Sequence, residues 1–263
     1  MSLEKHHDNL PNALILGDPA DPMVLQWRDY CETVGIPASL YIDVDDPPPS
    51  SPEAPYTVLI NTHVDLPFVH LHHLPDSLAD VLDEDCLILN NCLTETPTSS
   101  AAELDGDYAL VGFSAIGLYT GSPVIEIARG LQTEPKYVDM AHHFIASLGL
   151  KAIEVPETPG LVLGRILAML VNEATSALME GVATAKDIDT AMQLGTNYPR
   201  GPLTWADYVG LDVILSILNH LEDEYGDDRY CAMTLLRQKV DAGKLGRKAG
   251  EGFYTYHPEH SLR

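Results

Sequence analysis

Apolar positions along this chain change their spacing once. Up to about Val155 they come in short runs separated by turn-forming residues, and beyond Thr158 they recur at intervals of three and four, the spacing of a helix face. In the first part Ala13–Gly17 (ALILG) reads as a strand, Pro22–Val34 as a helix and Ser39–Val44 (SLYIDV) as a second strand. A β-α-β order implies a right-handed crossover and a parallel sheet. The proline-rich run from Pro47 to Pro55 suits neither a helix nor a central strand and reads as a loop. Tyr56–Asn61 (YTVLIN), Cys86–Asn90 and Tyr108–Phe113 (YALVGF) predict three further strands, with a helix over Pro75–Leu82. Val124–Ala128 and Lys151–Val155 flank an amphipathic helix over Pro135–Leu148. The pattern is that of a doubly wound open sheet.

In the second part Pro159-Gly160 opens a long apolar run in which Leu161, Ile166, Leu167, Leu170, Val171, Ala174, Leu178 and Val182 keep helical spacing. These residues are too many for one face, which predicts a helix buried on most of its circumference, loosened at its end by Gly181. Thr184 and Asp187 have the spacing of a helix start, for a second helix that reaches Leu194 and stops at Gly195. After the turn Tyr198–Pro202, Thr204 and Asp207 repeat that start signal. Val213, Ile214, Leu215, Ile217, Leu218 and Leu221 then add another wide apolar surface. The fold class is therefore α/β followed by all-α, with one domain over residues 1–155 and a helical one over 156–263.

The motifs in this second part carry a resemblance. DIDTAMQLG from Asp187, YPRGP from Tyr198, DYVGLD from Asp207 and the ending GKLGRKAGEGFYTY from Gly243 to Tyr256 are similar to the helical domain of NAD-dependent 3-hydroxyacyl-CoA dehydrogenases. So many matched motifs in order are very specific. The chain resembles in particular the carboxy-terminal half of long bacterial members, in which a shortened nucleotide-type domain precedes a second helical domain. The resemblance implies a reduced Rossmann-like parallel-sheet domain followed by a helical domain for dimerisation and substrate binding. It also implies NAD as cofactor and oxidoreductase chemistry on a 3-hydroxyacyl-CoA, 3-hydroxybutyryl-CoA first, in fatty-acid-type metabolism. The expected partners are a second copy of the chain, held through the helical domain, or a complete dehydrogenase chain.

Charge narrows the partners further. The chain has 15 basic against 39 acidic residues, a formal charge of -24, and no basic stripe; such a surface repels nucleic acid and anionic lipid alike. An excess of carboxylates is also a solubility or high-salt trait. There is no signal peptide and no uninterrupted apolar run near the length of a membrane span, so a cytoplasmic protein is expected. Cys31, Cys86, Cys92 and Cys231 lack metal-type or disulfide-scaffold spacing, which fits a reducing compartment.

Candidate chemistry follows from the turn after the first strand, where glycines and a helix N-terminus would take a dinucleotide pyrophosphate. Here the turn is GDPADP, with Gly17 alone remaining, Pro19 and Pro22 lacking N–H donors, and carboxylates at Asp18 and Asp21. Each carboxylate would repel a phosphate at about 5 Å by roughly 3 kcal/mol at an effective dielectric near 20, so NAD is not expected in the ordinary mode. Asp43, at the end of the second strand, stands either where an acid would hold a ribose or as a turn former.

For catalysis, the resemblance calls for a His base held by a Glu, with a Ser and an Asn near the substrate oxygen. Aligning VGFSAIGLYTGSPVIEI puts Ser114 at the His position and Glu126 at the Glu position. The Ser falls near Leu93 or Thr94, with Thr94 able to substitute, and the Asn is replaced by Gly164 next to a retained Arg165. A serine hydroxyl is no base near neutral pH, and loss of a positioned base costs about 10²- to 10⁴-fold. Glu126 reads equally as a strand-end carboxylate paired with Lys or Arg, and Thr94 as a cap or loop residue.

His63, His70, His72 and His73 have spacing that can hold a metal but lack a completing set, so surface histidines are expected and no metal. His142 and His143 read as packing or surface residues. Gly243, Gly246, Gly250 and Gly252 read as turns, although Lys244, Arg247 and Lys248 make this the most basic stretch and a place for a CoA phosphate. Two functions remain open. The chain is an oxidoreductase component acting on 3-hydroxyacyl-CoA, or a catalytically silent module for dimerisation or acyl-CoA binding.

Overall fold

The computed structural model describes residues 11–19, 21–42, 49, 54–64, 76–104, 109–119 and 122–256. Their backbone contacts divide into two compact units. One comprises the residues up to Asn91 with Thr96–Phe113 and Val124–Glu157; the other comprises Cys92–Glu95, Ser114–Pro123 and everything from Thr158 onward.

The first unit is built on a seven-stranded sheet. Its strands are β1 (Ala13–Leu16), β2 (Ala38–Tyr41), β3 (Tyr56–Asn61), β4 (Leu82–Asn91), β5 (Ala109–Ser114), β6 (Val124–Arg129) and β7 (Lys151–Val155), in the spatial order β2-β1-β3-β4-β5-β6-β7. The pairs β1–β2, β1–β3, β3–β4, β4–β5 and β6–β7 are parallel, and the sheet as a whole is mixed and mostly parallel, in keeping with the doubly wound sheet that the sequence pattern implied. Because β1 lies between β2 and β3, the chain reverses its winding at β1, and the strand ends there form the natural ligand crevice of such a sheet.

Helix α1 (Pro22–Val34) begins at the N-cap Asp21 with Pro22 at its first position and ends at Gly35, which takes up the left-handed conformation. Its buried residues Met23, Val24, Trp27 and Cys31 keep a helical period, and the Trp27 ring meets Phe113 edge-on at 5.4 Å and stacks on Phe144 at 6.4 Å. Phe144 belongs to α5 (Pro135–Ser147). A second cluster gathers Leu14 and Leu16 of β1 with Tyr56, Leu59, Ile88 and Leu110. Ile15, one residue out of phase in β1, is buried on the other face, so the central strands are covered on both sides.

Helix α2 (Asp76–Ala79) is shorter than its sequence pattern implied, and β4 begins earlier, at Leu82. Two helices had no apolar period to reveal them: α3 (Pro97–Glu103) and α4 (Ile116–Tyr119). Capping chemistry sets α3. The Thr96 hydroxyl accepts from Ser99 N–H at 3.1 Å and Ser99 Oγ accepts from Thr96 N–H at 3.1 Å, with Pro97 at the first position.

The second unit holds α6 (Leu163–Met179), α7 (Ala185–Thr196), α8 (Pro202–Val209), α9 (Leu211–Tyr225) and α10 (Thr234–Asp241), with 3₁₀ turns at Asp228–Tyr230 and Arg247–Ala249. Helix α6 is covered on one side only. Leu167, Ala168, Val171 and Ala174 are buried, whereas Ile166 is 51% exposed and Val182, beyond the helix end, 71%. The apolar stripe of α9 (Ile214, Ile217, Leu218 and Leu221) is fully covered within the chain. Thr184 caps α7 as its spacing implied, accepting from Asp187 N–H at 3.2 Å. The helix passes through Gly195, however, and ends at Asn197, which adopts the left-handed conformation and closes the turn instead. Helix α8 starts at Gly201 and Pro202, three residues earlier than the Thr204–Asp207 signal placed it, because both of those side chains are engaged elsewhere.

Candidate functional site

Asp207 is 1% exposed, and its carboxylate accepts from Phe253 N–H at 2.8 Å, Tyr254 N–H at 2.9 Å and the Tyr256 hydroxyl at 2.9 Å. Asp189, on α7, accepts from Leu203 N–H and Thr204 N–H, both at 2.9 Å, from the Thr204 hydroxyl at 2.6 Å and from the Tyr254 hydroxyl at 2.8 Å. Tyr254 therefore ties the two aspartates together, one through its backbone and one through its side chain. A side chain at Gly252 would collide with the Asp207 carboxyl, so only glycine lets the C-terminal segment approach so closely. Burial pushes the Asp207 carboxyl above the usual carboxylate range against the pull of its donors, and burial likewise lowers Lys239, whose Nζ donates to Gly252 O at 2.8 Å. This cluster closes the second unit; it offers no group to a substrate.

A different set of residues meets at the start of α6. A Cβ on Gly164 would lie 3.2 Å from Leu93 Cδ2, 3.2 Å from Ile116 Cδ1 and 3.8 Å from Ile217 Cδ1. Leu93 is 1% exposed and Ile116 is fully buried, so hydrocarbon fills the space that a side chain at 164 would occupy. Ser114, 1% exposed, ends β5, and its Oγ accepts from Ile116 N–H at 3.4 Å, a long local cap for the four-residue α4. Nothing in this arrangement accepts a proton at neutral pH. Arg165, next in the chain, stacks over Tyr225 at 4.7 Å and over Tyr230 at 5.3 Å and donates to the Tyr230 hydroxyl. Asn172 on α6 accepts from Met233 N–H at 2.8 Å and donates to Cys231 O at 2.9 Å. Both are packing roles.

In the first unit, the turn after β1 lies at the crevice of the sheet. Asp21 Oδ1 accepts from Met23 N–H at 2.7 Å, and Pro22 has no N–H to give. A Cβ on Gly17 would fall on the Thr62 hydroxyl, which itself donates to Leu16 O at 2.9 Å. The close approach that a pyrophosphate needs is thus taken up by the protein's own side chains. These residues do not fit an NAD pyrophosphate: of the first two donors of α1 one is missing and the other is held by a carboxylate.

A model of the 3-hydroxyacyl-CoA dehydrogenase C-terminal domain matches residues 160–256. The chain is 44% identical over 146 residues to a probable 3-hydroxybutyryl-CoA dehydrogenase of Deinococcus radiodurans, which covers 54% of this chain and 52% of that protein. It is 35% identical over 179 residues to a 3-hydroxybutyryl-CoA dehydrogenase of Clostridioides difficile, covering 68% of this chain and 64% of that protein. The crystal structure of the (S)-3-hydroxybutyryl-CoA dehydrogenase of Ralstonia eutropha superimposes with a TM-score of 0.73 at 25% identity, over 95% of this chain and 100% of that one. The chain belongs to the 3-hydroxyacyl-CoA dehydrogenase family. Its matched sequence spans between half and two thirds of the length of those two curated relatives.

Set against the family positions implied by the sequence, the candidates separate. Thr94 (2% exposed) and Ser114 lie in the helical unit of this dehydrogenase fold, with Leu93 and Gly164; Glu126 lies in the sheet unit, half-buried on β6 opposite Ile153 of β7. Thr94 and Glu126 both interact with neighbours. Asp43, His70, His72 and His73 lie outside the described residues. His63 is half-buried with its N–H donating to Asn61 Oδ1 at 3.2 Å, and His143 Nδ1 lies 2.6 Å from Asp139 O. Among the described residues no group of three metal-binding side chains occurs, and no helix is long and apolar enough to cross a membrane. Sequence reasoning did not single out Asp189, and took Asp207 for part of a helix start. Their presence in two of the matched motifs, together with the glycines of the C-terminal ending, was the available sign that they pair with something distant.

Proposed function

We propose that this chain serves 3-hydroxyacyl-CoA chemistry, with 3-hydroxybutyryl-CoA as the acyl carrier named by its relatives, as a family member that does not complete hydride transfer by itself. It binds the acyl-CoA and pairs through its helical unit, either with itself or with a complete dehydrogenase chain that supplies NAD chemistry. The observation that carries this reading is the contact of Leu93 and Ile116 around Gly164, where the resemblance implies polar groups around the substrate oxygen. Pairing is supported by the uncovered side of α6. Ile166 and Met179 are about half exposed, and Arg165, Ile166, Met169, Leu170, Arg229 and Tyr230 line a depression of about 300 Å³ there.

The test is turnover of (S)-3-hydroxybutyryl-CoA with NAD by the pure protein, with light scattering on the same sample. Turnover at least about 10²-fold below that of a complete family member is expected, together with a mass of two chains. Turnover at the full family rate would refute the silent reading, and a mass of one chain unchanged on dilution would exclude the self-dimer. Glu126 favours a second reading, that of a slow oxidoreductase, because it alone keeps the family residue among the implied catalytic set. Glu126→Ala separates the two: residual turnover that survives the change shows the carboxylate to be structural.

A further inference from the structure

Independently of the acyl-CoA reading, we propose that the folded state of this chain depends on monovalent cations drawn from solution, held as a mobile atmosphere over its acidic surface rather than at one site.

With 39 acidic and 15 basic residues, 24 carboxylates are left over even if every Lys and Arg is paired. An unfolded chain spreads these charges through a larger volume, so their mutual repulsion weighs on the folded state. The chain's own ion pairs offset little of it. Among the described residues they all join partly exposed side chains, from Arg28–Glu32 at 3.7 Å to Lys248–Asp212 at 2.6 Å, and solvent weakens pairs of that kind.

The helix ends give a second reason. A helix presents unpaired carbonyls at its C-terminus and is stabilised there by a cation. Among the described α-helices only α10 has a basic residue in its last turn, Lys239, and its Nζ is committed to Gly252 O at 2.8 Å. Helix α1 has Glu32 in its last turn instead, and α9 has Glu222, Asp223 and Glu224, with Asp227 and Asp228 just beyond its Gly226 cap. Arg229 pairs with Asp227 at 3.2 Å and Arg237 with Glu222 at 3.9 Å, which leaves the exposed Asp223, Glu224 and Asp228 without an ion pair among the described residues. Cations in solution are the remaining counter-charge for these ends. Between 0.1 and 1 M salt the reach of an exposed charge shrinks from about 10 Å to about 3 Å, below the spacing of most surface carboxylates.

Urea melts of the full chain in potassium, sodium and tetramethylammonium chloride test this, read by the fluorescence of the buried Trp27 in the sheet unit and Trp205 in the helical unit. The midpoint should rise by roughly 0.5 M urea or more between 0.1 and 1 M salt, equally for the three cations. Glu224→Lys at the end of α9 and Glu84→Lys on the exposed start of β4 should each raise the midpoint at low salt and flatten its dependence on salt. Lys151→Gln, at an exposed position of the edge strand β7, should steepen that dependence. A change of packing has no reason to follow the sign of the charge in this way.

A midpoint that stays flat or falls with salt overturns the proposal. A gain confined to one of the three cations overturns the mobile atmosphere in favour of a bound ion. Unchanged salt slopes in both lysine variants overturn the assignment to surface charge and leave exclusion of salt from the protein surface as the cause.

Discussion

Asp21 and Asp207 perform the same elementary act, a carboxylate accepting backbone N–H groups, but Asp21 reaches two residues along the chain and Asp207 reaches forty-six. The first stabilises one turn of α1 and, in doing so, fills the place where a cofactor phosphate would lie. The second joins two distant segments of the helical unit and is hidden from water. The contrast is between a carboxylate that joins distant segments and one that caps its own helix. Ser114 and Gly164, where the resemblance implies groups that serve a substrate, likewise make local contacts.

Removing the long-range carboxylate should have the larger effect. Asp207→Ala leaves Phe253 N–H, Tyr254 N–H and the Tyr256 hydroxyl without their acceptor, and a loss of about 3 kcal/mol or more in urea melts is expected. A loss under about 1 kcal/mol would mean that the C-terminal segment is held by packing alone, and the contrast with Asp21 would collapse. Next in size is Gly164→Asn, which restores the residue implied by the family. The new side chain meets Leu93 and Ile116, so a cost of about 1–3 kcal/mol without gain in turnover is expected. A gain in NAD-dependent turnover would show that the apolar contact yields to substrate.

Asp21→Ala should cost only about 1 kcal/mol, and Asp21→Ser close to nothing, because serine caps as well. A larger loss measured by the same melts would give the turn a role beyond capping.

The smallest expected effect is a change of slope with pH. Burial raises the Asp207 carboxyl above its ordinary value of 3.8, so the folded chain takes up this proton more readily than the unfolded chain. In the window that runs upward from 3.8, this residue alone makes stability increase as pH falls, against the trend of exposed carboxylates. Asp207→Asn removes that component, and its stability should fall more steeply on the acid side than that of the wild type. Parallel acid limbs in pH-dependent melts would contradict the burial assigned to this group.

How far the fold could be read from sequence depended on whether a residue's partner is near in the chain. The helix over Pro22–Val34 was legible because its signals are local: Pro22 is its first residue, and Asp21 and Gly35 flank it directly. Strands β1 and β3 were legible as apolar runs. Helix α3 was missed because its signal is a Thr-Pro-x-Ser capping arrangement rather than an apolar period. The Thr204–Asp207 signal misled for the opposite reason. Its residues have the spacing of a local cap, but Thr204 binds Asp189 and Asp207 binds residues beyond 250.

At the candidate site Ser114 and Gly164, at positions where the resemblance implies a His and an Asn, were legible in the sequence, and so were the carboxylates of the turn after β1. Their consequence was not. That Leu93 and Ile116 close over Gly164 depends on three segments meeting.

The long reach of Asp207 also sets an order on synthesis. When this residue leaves the ribosome, the amides that satisfy it have yet to be made, and at about 5–20 residues per second they follow some 2–10 s later. Until then α8 emerges with a carboxylate that has no place in an apolar core. The helical unit cannot complete this set of hydrogen bonds until the segment around Phe253 and Tyr254 has been made.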